Sequence, residues 1–367
     1  MNNKLFTMKK YICYLFFVLL AICGCDESDG PYRGNNPPPP DGANDRSDKD
    51  PEPQDLSSYC YELPLSIHVI ETPASKPIVE SRLEDIIDSV NSLYRKNGMN
   101  LKFFISRIKY AYSDKPSIRC TLLMESPKGS RYYEMMEDPN KVINIYVYPF
   151  LEKGVLGISH FPVTTAEHPL EGLDEVNSAT IRASQLDYIY CVSVNSDYLY
   201  VGTFLYNPND AITTLAHELG HYLGLYHTFS EDDYGTIDDC VDSDYCTDTP
   251  TYNKEEYDRW LDALDYREEY TLEYLSQRCN CEGEEFISSN ILDYAYSLSD
   301  EFSDEQRARV RHVLNYSPLI PGPKAGSTTP TRSVGMEGDT LRLPRFRAIP
   351  CPQASNSDRR LLKEKSQ

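Results

Sequence analysis

The sequence predicts an α+β domain over residues 57–318, and three observations carry that prediction. A strand, a helix and a second strand succeed one another between Leu63 and Ile108. Further β-branched and aromatic runs follow at 142–148 and 188–194, and an amphipathic helix begins at Ala211. Beyond residue 224 the chain turns acidic, tyrosine-rich and punctuated by cysteines. The expected architecture is a mixed twisted sheet with its helices in an upper lobe, 57–224, and a smaller irregular lower lobe, 225–318.

Each element has its own warrant. Leu63–Glu71 (LPLSIHVIE) alternates as a strand does, and Ile78–Lys96 carries apolar residues at helical spacing before stopping at Asn97-Gly98. Leu101–Ile108, Val142–Tyr148 (VINIYVY) and Tyr188–Val194 read as strands. Asn209 or Asp210 offers a helix cap, after which Ile212, Leu215, Ala216, Leu219, Tyr222 and Leu223 form one apolar face. Residues 251–278 read as a helical stretch rich in Tyr and Glu. There is no internal repeat.

Composition limits the function classes. The 40% apolar and 25% charged fractions are ordinary, but the net charge of -21 argues against nucleic acid as a partner. Between Thr228 and Phe302 there are 22 Asp or Glu against 4 Lys or Arg, which concentrates the imbalance just after the histidine cluster. The start of the chain has Lys4, Lys9 and Lys10 before an apolar run from Tyr11 to Ile22 that is too short to span a bilayer. With Ile22-Cys23-Gly24-Cys25 behind it, this start resembles a bacterial lipoprotein signal. The small residue Gly24 selects Cys25 as the lipidated new N-terminus, so residues 1–24 are a signal peptide. The expectation is an exported protein anchored by lipid to the bacterial cell envelope, at the outer membrane or cell surface. Residues 25–56, with Pro37–Pro40, read as a disordered tether. Residues 319–367 read as a loosely packed tail, and from Pro321 to Gln367 they carry 9 Lys or Arg against 4 Asp or Glu.

The chemistry lies in Ala211–Thr228, AITTLAHELGHYLGLYHT. His217 and His221 are neighbours one turn apart on the same helix face. Two imidazoles so placed hold one zinc ion, and Glu218 beside them is placed to take a proton from a metal-activated water. Gly220 leaves room for close packing. Gly224 is suited to end the helix with a positive φ, which swings the chain back so that His227 reaches the metal as third ligand. At this chain's composition the five-residue core arises by chance in about one such chain in a hundred, and with Gly224 and His227 in about one in a hundred thousand. His68, His160, His168 and His312 are assigned no catalytic role.

The string HELGHYLGLYH has the metzincin pattern H-E-x-x-H-x-x-G-x-x-H. With His227-Thr228-Phe229, Cys240, Asp248-Thr249-Pro250, Asn290-Ile291-Leu292-Asp293-Tyr294 and Asp304-Glu305-Gln306 before RARVRHVL, the chain resembles the pappalysin family. The lipoprotein start narrows this to the bacterial zinc-dependent metalloproteinase lipoproteins. The resemblance implies a metzincin (zincin-like) catalytic domain over 57–318, and it puts Tyr294 near the metal, where its hydroxyl assists the tetrahedral intermediate. It also implies that Cys240 and Cys246 bridge to Cys279 and Cys281, in an order the sequence leaves open. Calcium binding, as in relatives, is a second expectation, with Asp242, Asp244 and Asp248 as the candidates. One departure stands out: the family's turn methionine is Leu292 here, a swap of similar volume.

The expected function is zinc-dependent endopeptidase activity on extracytoplasmic proteins, with protein or peptide as substrate. The alternative is a catalytically weak surface binding protein that keeps the metzincin fold. An exopeptidase would need a charge to hold a substrate terminus, and no motif announces one.

Overall fold

Eleven residues, Tyr61–Glu71, form β1, the strand around which the main sheet is built. The computed structural model describes residues 55–200, 211–265, 267–294, 296–326 and 351–352. The leader, Cys25, nearly all of the tether, the Asn209 and Asp210 cap positions and most of the tail lie outside the described residues.

After β1 come α1 (Glu80–Lys96), β2 (Leu101–Tyr112), β3 (Ile143–Tyr148), β4 (Val155–Ser159), β5 (Thr164–Thr165), β6 (Glu175–Val176) and β7 (Val192–Asn195). Then follow α2 (Ala211–Tyr222), β8 (Glu231–Asp232), β9 (Gly235–Thr236), α3 (Lys254–Ala263) and α4 (Leu272–Leu275). The last elements are β10 (Gln277–Cys279), β11 (Glu285–Ile287), α5 (Asp304–Tyr316) and β12 (Cys351–Pro352). The six-stranded sheet has the order β12-β4-β7-β3-β1-β2. Strands β2, β1, β3 and β7 run parallel, whereas β4 and β12 are antiparallel to their neighbours. The fold is therefore α+β with a mostly parallel, mixed sheet, as the sequence predicts.

Burial follows from position. All six residues of β3 are buried because it lies between β1 and β7, which is why INIYVY reads as a continuous apolar run instead of an alternating one. Strand β2, at the far edge, exposes Phe104, Tyr110 and Tyr112. Leu83, Ile86, Ile87, Val90 and Tyr94 of α1 and Leu215 and Leu219 of α2 share one core with alternate residues of β1 and β3. Asn91 of α1 clamps β2 by exchanging two 2.8 Å hydrogen bonds with the backbone of Phe103. Tyr94 donates to the Ala216 carbonyl at 2.9 Å and so ties α1 to α2. A second core around Tyr146, Tyr148, Ile158 and Cys191 packs against the 118–133 segment. A third, with Phe229, Tyr252, Tyr257, Leu275, Tyr294 and Tyr296, organises the stretch beyond α2.

Several expectations need correction. The strand expected at 188–194 joins the ladder only from Val192, because the Cys191 N–H is taken by His160 Nδ1 at 3.1 Å. The stretch 251–278 is broken into α3 and α4. Cys240 and Cys281 form a disulfide, but Cys246 and Cys279 do not pair: Cys246 is buried and Cys279 exposed, so the two thiols do not meet. Packing also continues past residue 318. Leu319 and Ile320 are buried, Tyr61 donates to Pro323 O at 2.9 Å, and Cys351–Pro352 add a strand to β4.

The turn after α2 sets the path of the third histidine. Gly224 has φ +91°, and the N–H of Leu225 returns to Gly220 O at 3.0 Å, which closes the helix. A Cβ at Gly224 would lie 2.8 Å from Val313 of α5. Gly224→Ala is therefore expected to destabilise the protein by about 1–3 kcal/mol, from the backbone conformation and the contact together. Urea denaturation monitored by circular dichroism measures this, and an unchanged midpoint would contradict the role given to the turn.

Candidate metal centre

Helix α2 presents His217 and His221 one turn apart, and the Gly224 turn brings His227 back towards them. The three Nε2 atoms form a near-equilateral triangle: 2.9 Å between His217 and His221, and 3.1 Å from each of these to His227. All three rings are buried. Each Nδ1 points outward to an acceptor: His217 to Ile291 O at 2.8 Å, His221 to Leu225 O at 2.7 Å and His227 to Glu231 Oε2 at 2.7 Å. The Nδ1 atoms therefore carry the protons, and three Nε2 lone pairs converge on one point. Such an arrangement is repulsive by itself and is relieved by a cation. Three neutral nitrogens at this spacing fit a tetrahedral metal with one position left for another ligand.

Burial and the neighbouring His227 hold His217 down to about 3, and burial likewise holds His221 well below the usual histidine value. Both are the neutral, ligating form at neutral pH. Glu218 follows His217 on the helix and is fully buried. Neither of its oxygens has a protein partner, and burial raises its carboxyl well above the ordinary value. A cation at the histidines acts in the opposite direction and favours the carboxylate. Glu218 fits its place because Gly157 of β4 has no side chain: a Cβ there would lie 2.6 Å from the Glu218 carboxyl group.

Beneath the histidines is the turn at 290–294. A Cβ on Gly220 would be 3.1 Å from Leu292 Cδ2, so the helix rests on the leucine at the one position without a side chain. Leu292 is fully buried and fills the floor as an apolar residue of that volume should. Asn290 Oδ1 accepts from the Leu292 N–H at 2.8 Å, and Asn290 Nδ2 donates to Gln306 of α5, also at 2.8 Å. The Tyr294 ring is 4.6 Å from His227 and 5.9 Å from His217, centre to centre.

Three residues to which sequence reasoning gave no role, Asp293 among them although it stands in the quoted turn motif, support this centre. Glu231 orients His227. Asp293 Oδ1 accepts from Tyr252 Oη and from the Tyr294 N–H, each at 2.6 Å, while Ser288 Oγ donates to Asp293 Oδ2. Arg278, fully buried, lies 3.5 Å from Asp293 Oδ2 and stacks 3.5 Å over the Tyr257 ring. Arg278 is one of only 4 basic residues among 22 acidic ones in its stretch, and that rarity was the available signal.

The other candidates do not assemble. His68 bonds Asn144, and His312 bonds the carbonyl of His168. Among the described residues, the three histidines are the one group of three or more ligating residues spaced to hold a metal. Asp244 accepts from Thr249 Oγ1 at 2.6 Å and from the Cys246 N–H at 2.9 Å, and burial pushes it up to about 7. Asp248 instead accepts from the Glu305 N–H at the start of α5. The expectation of calcium at Asp242, Asp244 and Asp248 is therefore not supported.

His221→Ala should abolish metal binding, whereas Glu231→Ala should weaken it by about 10- to 100-fold through loss of the hydrogen-bond acceptor of His227. Competition with a chromogenic chelator separates the two. Wild-type affinity in the Glu231 variant would show that its hydrogen bond does not orient the ring.

The extracellular metalloprotease of Arthroderma benhamiae is 26% identical over 248 residues, covering 66% of this chain and 74% of that protein. The extracellular metalloprotease of Arthroderma otae is 28% identical over 190 residues, 51% of this chain, and the matched part spans 58% of that relative's length. Among solved structures, mature mirolysin of Tannerella forsythia in complex with a cleaved peptide matches at 17% identity and a TM-score of 0.45, over 69% of this chain and 91% of that one. The peptidase M43 profile, described as pregnancy-associated plasma protein-A, matches residues 130–315, and the chain therefore belongs to that pappalysin family.

Proposed function

We propose that the protein is a zinc-dependent endopeptidase that cleaves extracytoplasmic proteins or peptides. The observation that carries this reading is the buried, unpartnered carboxylate of Glu218, next in α2 to His217, one of three converging imidazoles. Family membership supports it, and the relatives named extracellular metalloproteases support an exported protein. Zinc bound by His217, His221 and His227 would supply Lewis-acid polarisation of the scissile carbonyl and acidify a water. Glu218 takes a proton from that water and delivers it to the leaving amine nitrogen. Tyr294, beside His227, donates its phenol to the oxygen on which negative charge develops. The Nδ1 acceptors keep the imidazoles in one tautomer throughout. No covalent acyl-enzyme is involved.

The rival is a binding protein that retains the fold without useful turnover. The family departure at Leu292 is what would favour it, but that residue is fully buried beneath Gly220. A carboxylate kept buried without a structural partner has no purpose in a pure binding module. Export with lipidation at Cys25 completes the reading and places the enzyme on the cell envelope.

Glu218→Ala should keep the metal while lowering kcat/KM on an internally quenched peptide by about 10²–10⁴ or more. Leu292→Met should leave activity within a few-fold of wild type, as expected for a swap of similar volume. Wild-type turnover by the Glu218 variant would remove it as the base. A wild type without activity beside an active Leu292→Met would favour the binding protein.

The anchor is tested separately. Wild-type protein should partition into detergent and Cys25→Ala into the aqueous phase or remain unprocessed. Recovery of wild type wholly in the aqueous phase, without an acyl group, would defeat the lipoprotein reading.

A further inference from the structure

Strand β4 lies at the rim of the metal centre. Its Gly157 packs against Glu218 so closely that a Cβ would lie 2.6 Å from the carboxyl group. Three residues past Ile158 the chain reaches Phe161, whose ring centre is 5.2 Å from that of His221 and 4.6 Å from that of Tyr226. The backbone from Gly157 to Phe161 therefore borders the general base at one end and a metal-binding imidazole at the other. One edge of β4 pairs with β7, through Gly157 and Val194, Ile158 and Ser193, and Ser159 and Val192. Left bare, the opposite edge would offer N–H and C=O groups, and an extended peptide binds such an edge by adding a strand.

In this structure the chain's own C-terminal part takes that edge. Cys351 pairs with Gly157 and Pro352 with Val155, antiparallel to β4. Two extended chains cannot hydrogen-bond the same edge at once. We propose that Cys351–Pro352 is a built-in competitor, which holds the rim of the cleft until an extended peptide displaces it. The inference rests on the endopeptidase reading and adds a regulatory segment to it.

Two features of the sequence fit this role. The flanking chain is basic, with Arg342, Arg345 and Arg347 before the pair and Arg359 and Arg360 after it, in a molecule of net charge -21. Charge thus favours association of the tail with the body of the protein. The pairing is also short, and Pro352 brings no N–H to it. A short ladder holds weakly, but a tethered segment acts at an effective concentration on the order of millimolar, enough to compete with a substrate at ordinary levels. The expected result is a raised KM with kcat unaffected, because saturating substrate displaces the segment.

The test compares full-length wild type with Cys351→Pro, which removes the N–H at that position, and with Cys351→Ser, which keeps the backbone and controls for thiol chemistry. A chain ending at Pro350 is the second way of removing the strand, with its melting curve checked against wild type. On an internally quenched peptide, Cys351→Pro and the shortened chain should show KM about 3- to 10-fold lower at unchanged kcat, with Cys351→Ser like wild type. Hydrogen exchange read by mass spectrometry over residues 155–159 should be faster in the same two variants. Equal KM and equal exchange in all chains would overturn the proposal. A KM drop in Cys351→Ser as large as in Cys351→Pro would also overturn it, by assigning the effect to the thiol. If none of the chains cleaves while exchange still differs, the endopeptidase reading fails and the competitor role fails with it, which the exchange data distinguish from a failure of pairing alone.

Discussion

Three outward hydrogen bonds, from the Nδ1 atoms of His217, His221 and His227, fix everything at the metal centre. Their acceptors come from different parts of the chain: the Ile291 carbonyl in the 290–294 turn, the Leu225 carbonyl just past α2, and the Glu231 carboxylate in β8. Only when all three are in place do the Nε2 lone pairs converge. The helix, the Gly224 turn and the distant turn must therefore be assembled together. Buried polar atoms without partners cost about 1–3 kcal/mol each, so the converging nitrogens oppose folding of the metal-free chain, and a bound cation reverses that balance.

The 290–294 turn is held from the other side by the buried Arg278 and Asp293. Arg278 donates to the carbonyls of Leu275 and Tyr296 and lies over the rings of Tyr257 and Tyr252. Asp293 spends its oxygens on Tyr252, Ser288, the Tyr294 N–H and the guanidinium. Although Arg278 Nε has no hydrogen-bond partner, the pair is bonded on its other sides, and losing one member typically costs about 3–5 kcal/mol because the other charge is left stranded. The Cys240–Cys281 bridge adds a covalent tie across a separation of 41 residues, worth about 3–4 kcal/mol in the chain-entropy view. The part of the molecule with the strongest acidic excess is thus tied together by the buried Arg278 and the Cys240–Cys281 disulfide as well as by its apolar cluster.

What was legible in the sequence is what depends on local spacing. The i, i+4 histidines, the glycine that turns the helix and the runs that become β1, α1, β2 and β3 all follow from periodicity and φ preference within a few residues. Leu292 and Tyr294 were found only through resemblance, since nothing in an isolated N-x-x-D-Y announces a turn beneath a metal. Glu231, Asp293 and Arg278 escaped because their roles depend on partners distant in the fold, and a buried carboxylate looks like a solvated one in a stretch with 22 of them. Cysteine positions are opaque for the same reason: Cys120 and Cys191 are buried thiols in the second core, where their role is packing. The strand at Cys351–Pro352 is two residues long and has no pattern of its own; its pairing is set by the edge that receives it.

Glu218 ties these levels together. A buried carboxylate kept for structure is normally paired or multiply hydrogen-bonded, as Asp293 is. Glu218 instead has Gly157 against it and no hydrogen-bond partner for either oxygen. Leaving it unpartnered costs stability that packing elsewhere must offset, a cost to which the proposed endopeptidase chemistry would give a purpose. The same economy explains Gly157. A larger residue there would push the carboxyl group from its place, and it would also displace the strand edge along which an extended chain can lie. The position of the Glu218 carboxyl group and the shape of the strand edge are one packing problem, solved by the absence of a single side chain. Whatever occupies the edge of β4 is thereby brought beside that carboxyl group, which in the proposed endopeptidase moves the proton.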